Sequence, residues 1–212
     1  MKRRASHLTA SALLCAAASL GLGRAALAQS VSAPTHPAYT PADAQFMTGM
    51  IGHHAQAVLI SGWAPSHGAS PTILTLTERI VAGQSDEIEL MQRWLADHGE
   101  PVPEGKAHYM SGMAGMNHDM PGMDSSMPGM LSQAQLEQLD AARGPEFDRL
   151  FLTFMIQHHQ GAIVMVNQLF GQGAGEEERS FRFASDVYAD QTTEIDRMQK
   201  MLAALPASGG AQ

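Results

Sequence analysis

The stretch Asp43-Ala-Gln-Phe-Met-Thr-Gly-Met-Ile-Gly-His-His-Ala-Gln-Ala57 is written a second time as Asp148-Arg-Leu-Phe-Leu-Thr-Phe-Met-Ile-Gln-His-His-Gln-Gly-Ala162. At one constant offset of 105, Asp43, Phe46, Met50, Ile51, His53, His54 and Ala57 fall on Asp148, Phe151, Met155, Ile156, His158, His159 and Ala162. Further along, at an offset of 107, Gln84, Glu87, Ile88, Met91, Gln92 and Leu95 fall on Gln191, Glu194, Ile195, Met198, Gln199 and Leu202. A pattern that recurs with its internal spacing kept is a duplicated supersecondary unit, here a helical hairpin.

Local signals bound two helices in each copy. Thr40 can cap a first helix with Pro41 at its first position and Asp43 three residues after the cap, and this helix runs to about Ser61. Gly62 to Gly68 makes a turn. Ser70-Pro71 opens a second helix whose Ile73, Leu76, Ile80, Glu87, Ile88, Met91 and Leu95 recur at helical spacing until Gly99 and Pro101. In the second copy Pro145 opens a helix ending near Phe170, Gly171 to Gly175 turns, and a last helix reaches Pro206. Ser132 to Ala142 forms a short extra helix behind a Ser132/Gln135 capping box. Helices of this length with short turns and almost no strand-like alternation predict an all-α fold, a four-helix bundle of two repeated hairpins with a Met-rich loop insert.

Working outward, residues 1–28 read as a secretory signal: basic Lys2, Arg3 and Arg4, an apolar Leu8 to Leu22, and a small-residue cleavage site at Ala26-Leu27-Ala28. The expected order is then a linker over 29–39, a first hairpin over 40–99, a Met/His-rich loop over 100–131 and a short helix with the second hairpin over 132–205. The hairpins form one bundle domain, 40–205, and 206–212 is a disordered tail. Cleavage after Ala28 places the protein in the periplasm and removes Cys15, leaving a mature chain with no thiol for disulfides or thiolate ligation. It also removes four cations and leaves 9 basic against 21 acidic residues. With a net charge of -8 for the full chain and no basic cluster past the N-terminus, nucleic acid is excluded as a partner. No stretch after residue 28 is apolar for long enough to span a membrane.

Among 212 residues there are 15 Met and 10 His, a usage that points to soft-metal chemistry. Seven of these methionines, Met110, Met113, Met116, Met120, Met123, Met127 and Met130, lie in one segment. Their spacing would suit the core stripe of a helix, but Gly112, Gly115, Pro121, Gly122, Pro128 and Gly129 break it at about 1 kcal/mol per Gly and 3 per Pro. Thioethers on an exposed loop favour a soft, low-charge ion such as Cu(I) or Ag(I), and each Met-Pro-Gly-Met element can turn two sulfurs toward one ion. His108, His118 and Asp119 add donors suited to Cu(II). The competing reading is a tolerated, disordered insert.

The histidine pairs form a second constellation. Met50, His53, His54 and Ala57 share one helix face, as do Met155, His158, His159 and Ala162, and pseudo-twofold packing can bring both sets together at the centre of the bundle. A hydrogen-bonded core histidine is the alternative. Glu87 and Glu194, on apolar stripes, need a partner: they orient a histidine and pair with Arg79 or Arg197 rather than ligate directly. Asp43 and Asp148 are explained as first-turn caps, with a contact to histidine also open.

The two copies, Asp43-x-x-Phe46-x-x-x-Met50-Ile51-x-His53-His54-x-x-Ala57 and Asp148-x-x-Phe151-x-x-x-Met155-Ile156-x-His158-His159-Gln160-Gly161-Ala162, resemble the signature of the domain of unknown function 305 family over about residues 40 to 205. The resemblance implies a ferritin-like four-helix fold, export, and copper binding linked to copper tolerance, with ligands at Met50, His53, His54, Met155, His158 and His159. Ala55-Gln56 stands where the second copy has Gln160-Gly161, so the two sites need not be equivalent. The function expected is sequestration or delivery of copper, Cu(I) before Cu(II), to an exporter or oxidase, with no catalysis. The rivals are a ferritin-like metal-dependent oxidase, which lacks the Glu-x-x-His pattern because Leu90 and Arg197 stand where His is needed, and a structural or partner-binding bundle.

Overall fold

The computed structural model describes residues 38–107 and 127–206. The signal segment, most of the N-terminal linker, residues 108–126 of the Met-rich insert and the tail from 207 lie outside the described residues. So do Met110, Met113, Met116, His118, Met120 and Met123.

The described chain is all-α, with five helices and no strand: α1 (Pro41–Ser61), α2 (Pro71–Asp97), α3 (Gln133–Ala141), α4 (Pro145–Gly171) and α5 (Glu178–Ala204). α1 packs on α2 and α4 on α5, the two pairs meet through α1 and α4, and α3 lies against α4. His53 stands opposite His158 and Gly49 opposite Met165, so α1 and α4 run antiparallel.

The helix starts follow from local chemistry, with instructive exceptions. Thr40 and Asp43 form the capping box expected from the sequence, as do Ser132 and Gln135. Ser70 does not cap with its side chain; its backbone N–H donates to both oxygens of Asp148, at 3.1 and 3.3 Å. Asp43, besides capping α1, accepts from the Gly175 N–H at 2.9 Å and from the Ser180 hydroxyl. Each duplicated aspartate therefore ties the start of its own helix to the start of a helix in the other hairpin, a role beyond the capping that the sequence suggested.

Burial divides along the helices. One apolar cluster takes Phe46, Met50 and Ile51 of α1, Met91, Trp94 and Leu95 of α2, Val166 and Leu169 of α4, and Val187 of α5. A second takes Ile60 of α1, Ile73, Leu76 and Ile80 of α2, Phe147, Phe151 and Met155 of α4, and Met198 of α5. Each such side chain stabilises the fold by about 1.5–3 kcal/mol. The residues between the clusters are polar on every long helix: His53 and His54, Gln84 and Glu87, His158 and His159, Gln191 and Glu194. The core is thus two apolar halves separated by a polar layer.

The segments flanking the insert are seated on the helices. Gln92 donates to the Pro103 carbonyl at 2.8 Å. Met127-Pro128-Gly129-Met130 closes a turn through a Met130 N–H to Met127 carbonyl bond, with Pro second and Gly129 third at φ 77, the type II pattern. Met130, read from the sequence as one of an exposed loop's thioethers, is buried, as is Leu131 after it.

Candidate metal centre

Four imidazoles occupy the polar layer, and His53, His54, His158 and His159 are all 0% exposed. Residues three and four apart share a helix face, and the repeat places one His pair on α1 and the other on the facing surface of α4. The rings of His53 and His158 lie 3.8 Å apart between centroids. His54 and His159 flank them at 6.4 and 6.3 Å from their own neighbours. The convergence anticipated from the sequence is therefore present.

The outer histidines are held by carboxylates. His54 Nε2 is 2.7 Å from Glu87, and His159 Nε2 is 2.6 Å from Glu194. A carboxylate accepts, so Nε2 carries the hydrogen, and in the neutral ring Nδ1 is left with its lone pair. These carboxylates go to the histidines and not to Arg79 or Arg197. They sit at the margin of the layer, 18% and 20% exposed. Asp190 beside them has its carboxyl raised above the ordinary value, first by partial burial and then by the charges of Glu87, Asp186 and Glu194. That margin is strongly negative.

The inner histidines are neutral. Burial first, then the neighbouring His54, pushes the His53 pKa down to about 3, although the Pro128 carbonyl acts in the opposite direction. His158 lies well below its ordinary value for the same leading reason, with the His53 ring the next contribution, although the His53 backbone acts in the opposite direction. His53 donates Nε2–H to the Pro128 carbonyl at 3.1 Å, because a carbonyl can only accept, and so Nδ1 of His53 is a bare donor toward a cation.

What the layer lacks is partners. Among the described residues, the buried polar atoms without a partner are Nδ1 of His53, His54 and His159, both ring nitrogens of His158, both amide atoms of Gln84, Oε1 of Gln191, and the Ser61 hydroxyl. All but the last lie in the layer, and each ordinarily costs about 1–3 kcal/mol. His67 is the internal comparison. It too is buried, yet Nδ1 has the Ser66 hydroxyl at 3.0 Å and Nε2 has the Asp140 carbonyl at 3.0 Å. By contrast, neither ring nitrogen of His158 has a hydrogen bond of ordinary geometry among the described residues.

The donors are gathered without being arranged as a chelate. Among the described residues no three His, Cys, Asp or Glu side chains converge in a geometry that could hold a metal ion. The closely packed His53 and His158 rings, tilted 39° to one another, would have to part to direct their lone pairs at a common point. Met50 and Met155, both 0% exposed, belong to opposite apolar halves and so flank the layer from its two sides. Gln84 and Gln191 escaped the reading of the site from sequence. Their signal was the repeat itself, which places both three residues before the layer's glutamates.

The turn at 127–131 straps this layer. Gln56 donates to the Leu131 carbonyl at 3.2 Å and accepts from its N–H at 2.8 Å. Its counterpart in the second copy, Gly161, is the seat: a Cβ there would stand 2.0 Å from the Pro128 oxygen. The departure between the copies at this position thus has a physical cause. Of the insert's methionines within the described residues, Met130 is buried and Met127 lies against Gly49.

The family model of DUF305, a domain of unknown function, matches residues 43–202, and the chain belongs to that family. A DUF305 protein from Streptomyces coelicolor, named as secreted, superposes with a TM-score of 0.64 at 26% identity, covering 81% of this chain and 98% of its own. A DUF305 fragment from Deinococcus radiodurans gives 0.64 at 27% identity, over 80% of this chain and 100% of that one. CopM in its Cu(II)-bound form gives 0.57 at 26% identity, over 76% and 95%; its Cu(I)-bound and silver-bound forms are each 25% identical. No curated protein matches the chain in sequence. No helix among the described residues is long and apolar enough to cross a membrane.

Proposed function

We propose that this DUF305 protein is an exported copper-binding protein that sequesters or delivers copper, Cu(I) in preference to Cu(II), and performs no chemistry on a substrate. The observation that carries the reading is His158: a fully buried, neutral imidazole neither of whose nitrogens has a hydrogen bond of ordinary geometry among the described residues, packed at a tilt against a second neutral imidazole with a bare Nδ1. Neutral imidazole is a metal ligand, and thioethers add the soft donors that low-charge copper accepts. On this reading the four long helices make a ferritin-like bundle whose equatorial layer is the fixed site. His53, His54, His158 and His159 supply nitrogen, and Met50 and Met155 supply sulfur. Glu87 and Glu194 orient the outer rings, and their negative margin, shared with Asp190, draws cations toward the layer.

The Met-rich insert acts as collector, with Met110, Met113, Met116, Met120, Met123, Met127 and Met130 as thioethers and His118 as a nitrogen donor. CopM, crystallised with Cu(I), Cu(II) and silver, supports copper as the cargo. The secreted name of the Streptomyces coelicolor relative supports export to the periplasm with a signal cleaved after Ala28, and a copper exporter or oxidase fits as the partner.

The test is a titration of the mature chain with Cu(I) against a competing chelator. Substituting His53, His54, His158 and His159 together by Leu removes the bundle equivalents. Changing Met113, Met116, Met120 and Met123 to Leu removes others, and copper raises Tm in the wild type as RT ln(1 + [L]/Kd). Undiminished stoichiometry in the histidine variant, or no competition with the chelator, would overturn the reading.

A further inference from the structure

The two copies diverge most where the strap sits, and one divergence carries a second site. The repeat sets Gly49 against Phe154 and Ile60 against Met165. Phe154 and Ile60 are ordinary members of one apolar half. On the strap side the same pair of positions holds a glycine and a thioether. The place where a Cβ on Gly49 would stand is 3.4 Å from the sulfur of Met127 and 3.4 Å from the methyl of Met165. The sulfur and the methyl therefore lie no further apart than twice that distance. Gly49 and Met127 also line a surface cavity with Gln45, Thr48 and Glu100, so the notch opens to solvent, and Gly49 is one helical turn from His53.

We infer that Met127 and Met165 form a two-thioether site for a soft monovalent cation in the notch over Gly49, between the solvent-facing cavity and the histidine layer. The site deepens the copper-binding reading and rests on it. Two neutral, polarisable sulfurs select a soft ion of low charge over a hard divalent one. Apolar packing needs no glycine here: the equivalent position is filled by Phe154. The glycine leaves the Met165 methyl uncovered beneath Met127, which itself lines the cavity, and the strap bonds of Gln56 to Leu131 and of His53 to Pro128 hold Met127 over it.

The experiment uses Ag(I), which reports soft-cation binding without redox change, and 13C-methyl-methionine NMR of the mature chain. The Met127 and Met165 methyl signals shift together within one Ag(I) equivalent. Met165→Ile, which installs the residue found at position 60, abolishes the Met127 shift in that equivalent and lowers the stoichiometry by one with the circular dichroism unchanged. Gly49→Leu, which fills the notch and keeps both sulfurs, does the same. A Met165 signal that stays still throughout, or a Met127 response that survives either variant, overturns the inference. If the histidine ring signals respond to Ag(I) while Met165 is silent, only this inference falls; if neither responds, the copper-binding reading falls with it.

Discussion

Replacing Gly161 by alanine separates two physical outcomes of opposite sign. On an ordinary helix interior the change is favourable by about 1 kcal/mol, because alanine loses less backbone entropy than glycine. Here the added Cβ would meet Pro128 O at 2.0 Å, Pro128 C at 2.4 Å and Gly129 Cα at 2.5 Å. All three are backbone atoms that no rotamer change can move, so the strap must lift. Lifting breaks the two Gln56–Leu131 bonds and the His53–Pro128 bond, worth about 1 kcal/mol each, and exposes Leu131, worth about 2 kcal/mol. Set against the helical gain, the net loss is about 2 to 4 kcal/mol, with the smaller figure for partial displacement. In a chain of this size the fall in Tm is roughly 5 to 15 °C. Urea unfolding of the metal-free mature chain, followed by far-ultraviolet circular dichroism, measures it. Hydrogen exchange at the Leu131 amide, which donates to Gln56, accelerates in parallel. A Gly161→Ala protein as stable as the wild type or more so, with Leu131 still protected, would refute the seating of the strap on α4.

Acid destabilises the metal-free protein through its buried histidines. His53 and His158 are held neutral in the fold while the unfolded chain takes protons below about pH 6.5, so stability rises with pH across this window and is lost as pH falls toward the folded value, about 3 for His53. The slope is about 1.4 kcal/mol per pH unit for each such histidine. His158→Leu reduces it by one proton's worth and, because neither nitrogen of His158 makes a hydrogen bond of ordinary geometry among the described residues, costs little or gains stability at pH 7; an unchanged slope between pH 6 and 4 counts against this account. Asp43→Asn destabilises by about 3 kcal/mol or more, since its carboxylate accepts bonds from Thr40, Gly175 and Ser180. Burial alone would raise its pKa, but those bonds outweigh it and hold the group below the ordinary value. Its share of stability is therefore present above about pH 4 and fades as pH falls further; a loss under 1 kcal/mol at pH 7 would show that the cross-hairpin tie is weak.

Much of this was legible in the residues. Thr40-Pro41, Ser132 and Pro145 mark helix starts because caps and proline act locally, and α1 ends at Ser61 as its pattern indicates. The register of the histidines followed from the duplication, since a repeat that conserves spacing also conserves the facing surface. Less legible were contacts made by backbone or by a distant partner. Asp43 reads as a cap from its neighbours, but the Gly175 and Ser180 bonds lie more than 130 residues away and leave no periodic trace. Gln84 and Gln191 look like solvated residues by type, and only their burial, 3% and 2% exposed, reveals them as members of the layer. Gln56 and Gly161 were visible as a mismatch between copies, yet the strap that explains them has no periodicity at all. Glu177, which opens α5 by accepting from the Ser180 N–H, is not among the usual capping residues.

The polar layer also acts as a ruler for the helices. Apolar surfaces are forgiving, and two smooth helices can slide past one another by a turn, about 5.4 Å, at modest loss. Here such a slip would drive imidazoles and amides into Met and Phe side chains and strip Glu87 and Glu194 of their partners. An all-leucine replacement of the layer would raise stability, as apolar replacements of buried polar groups often do. It would also remove a feature that distinguishes the correct alignment of α1 against α4 from its neighbours a turn away.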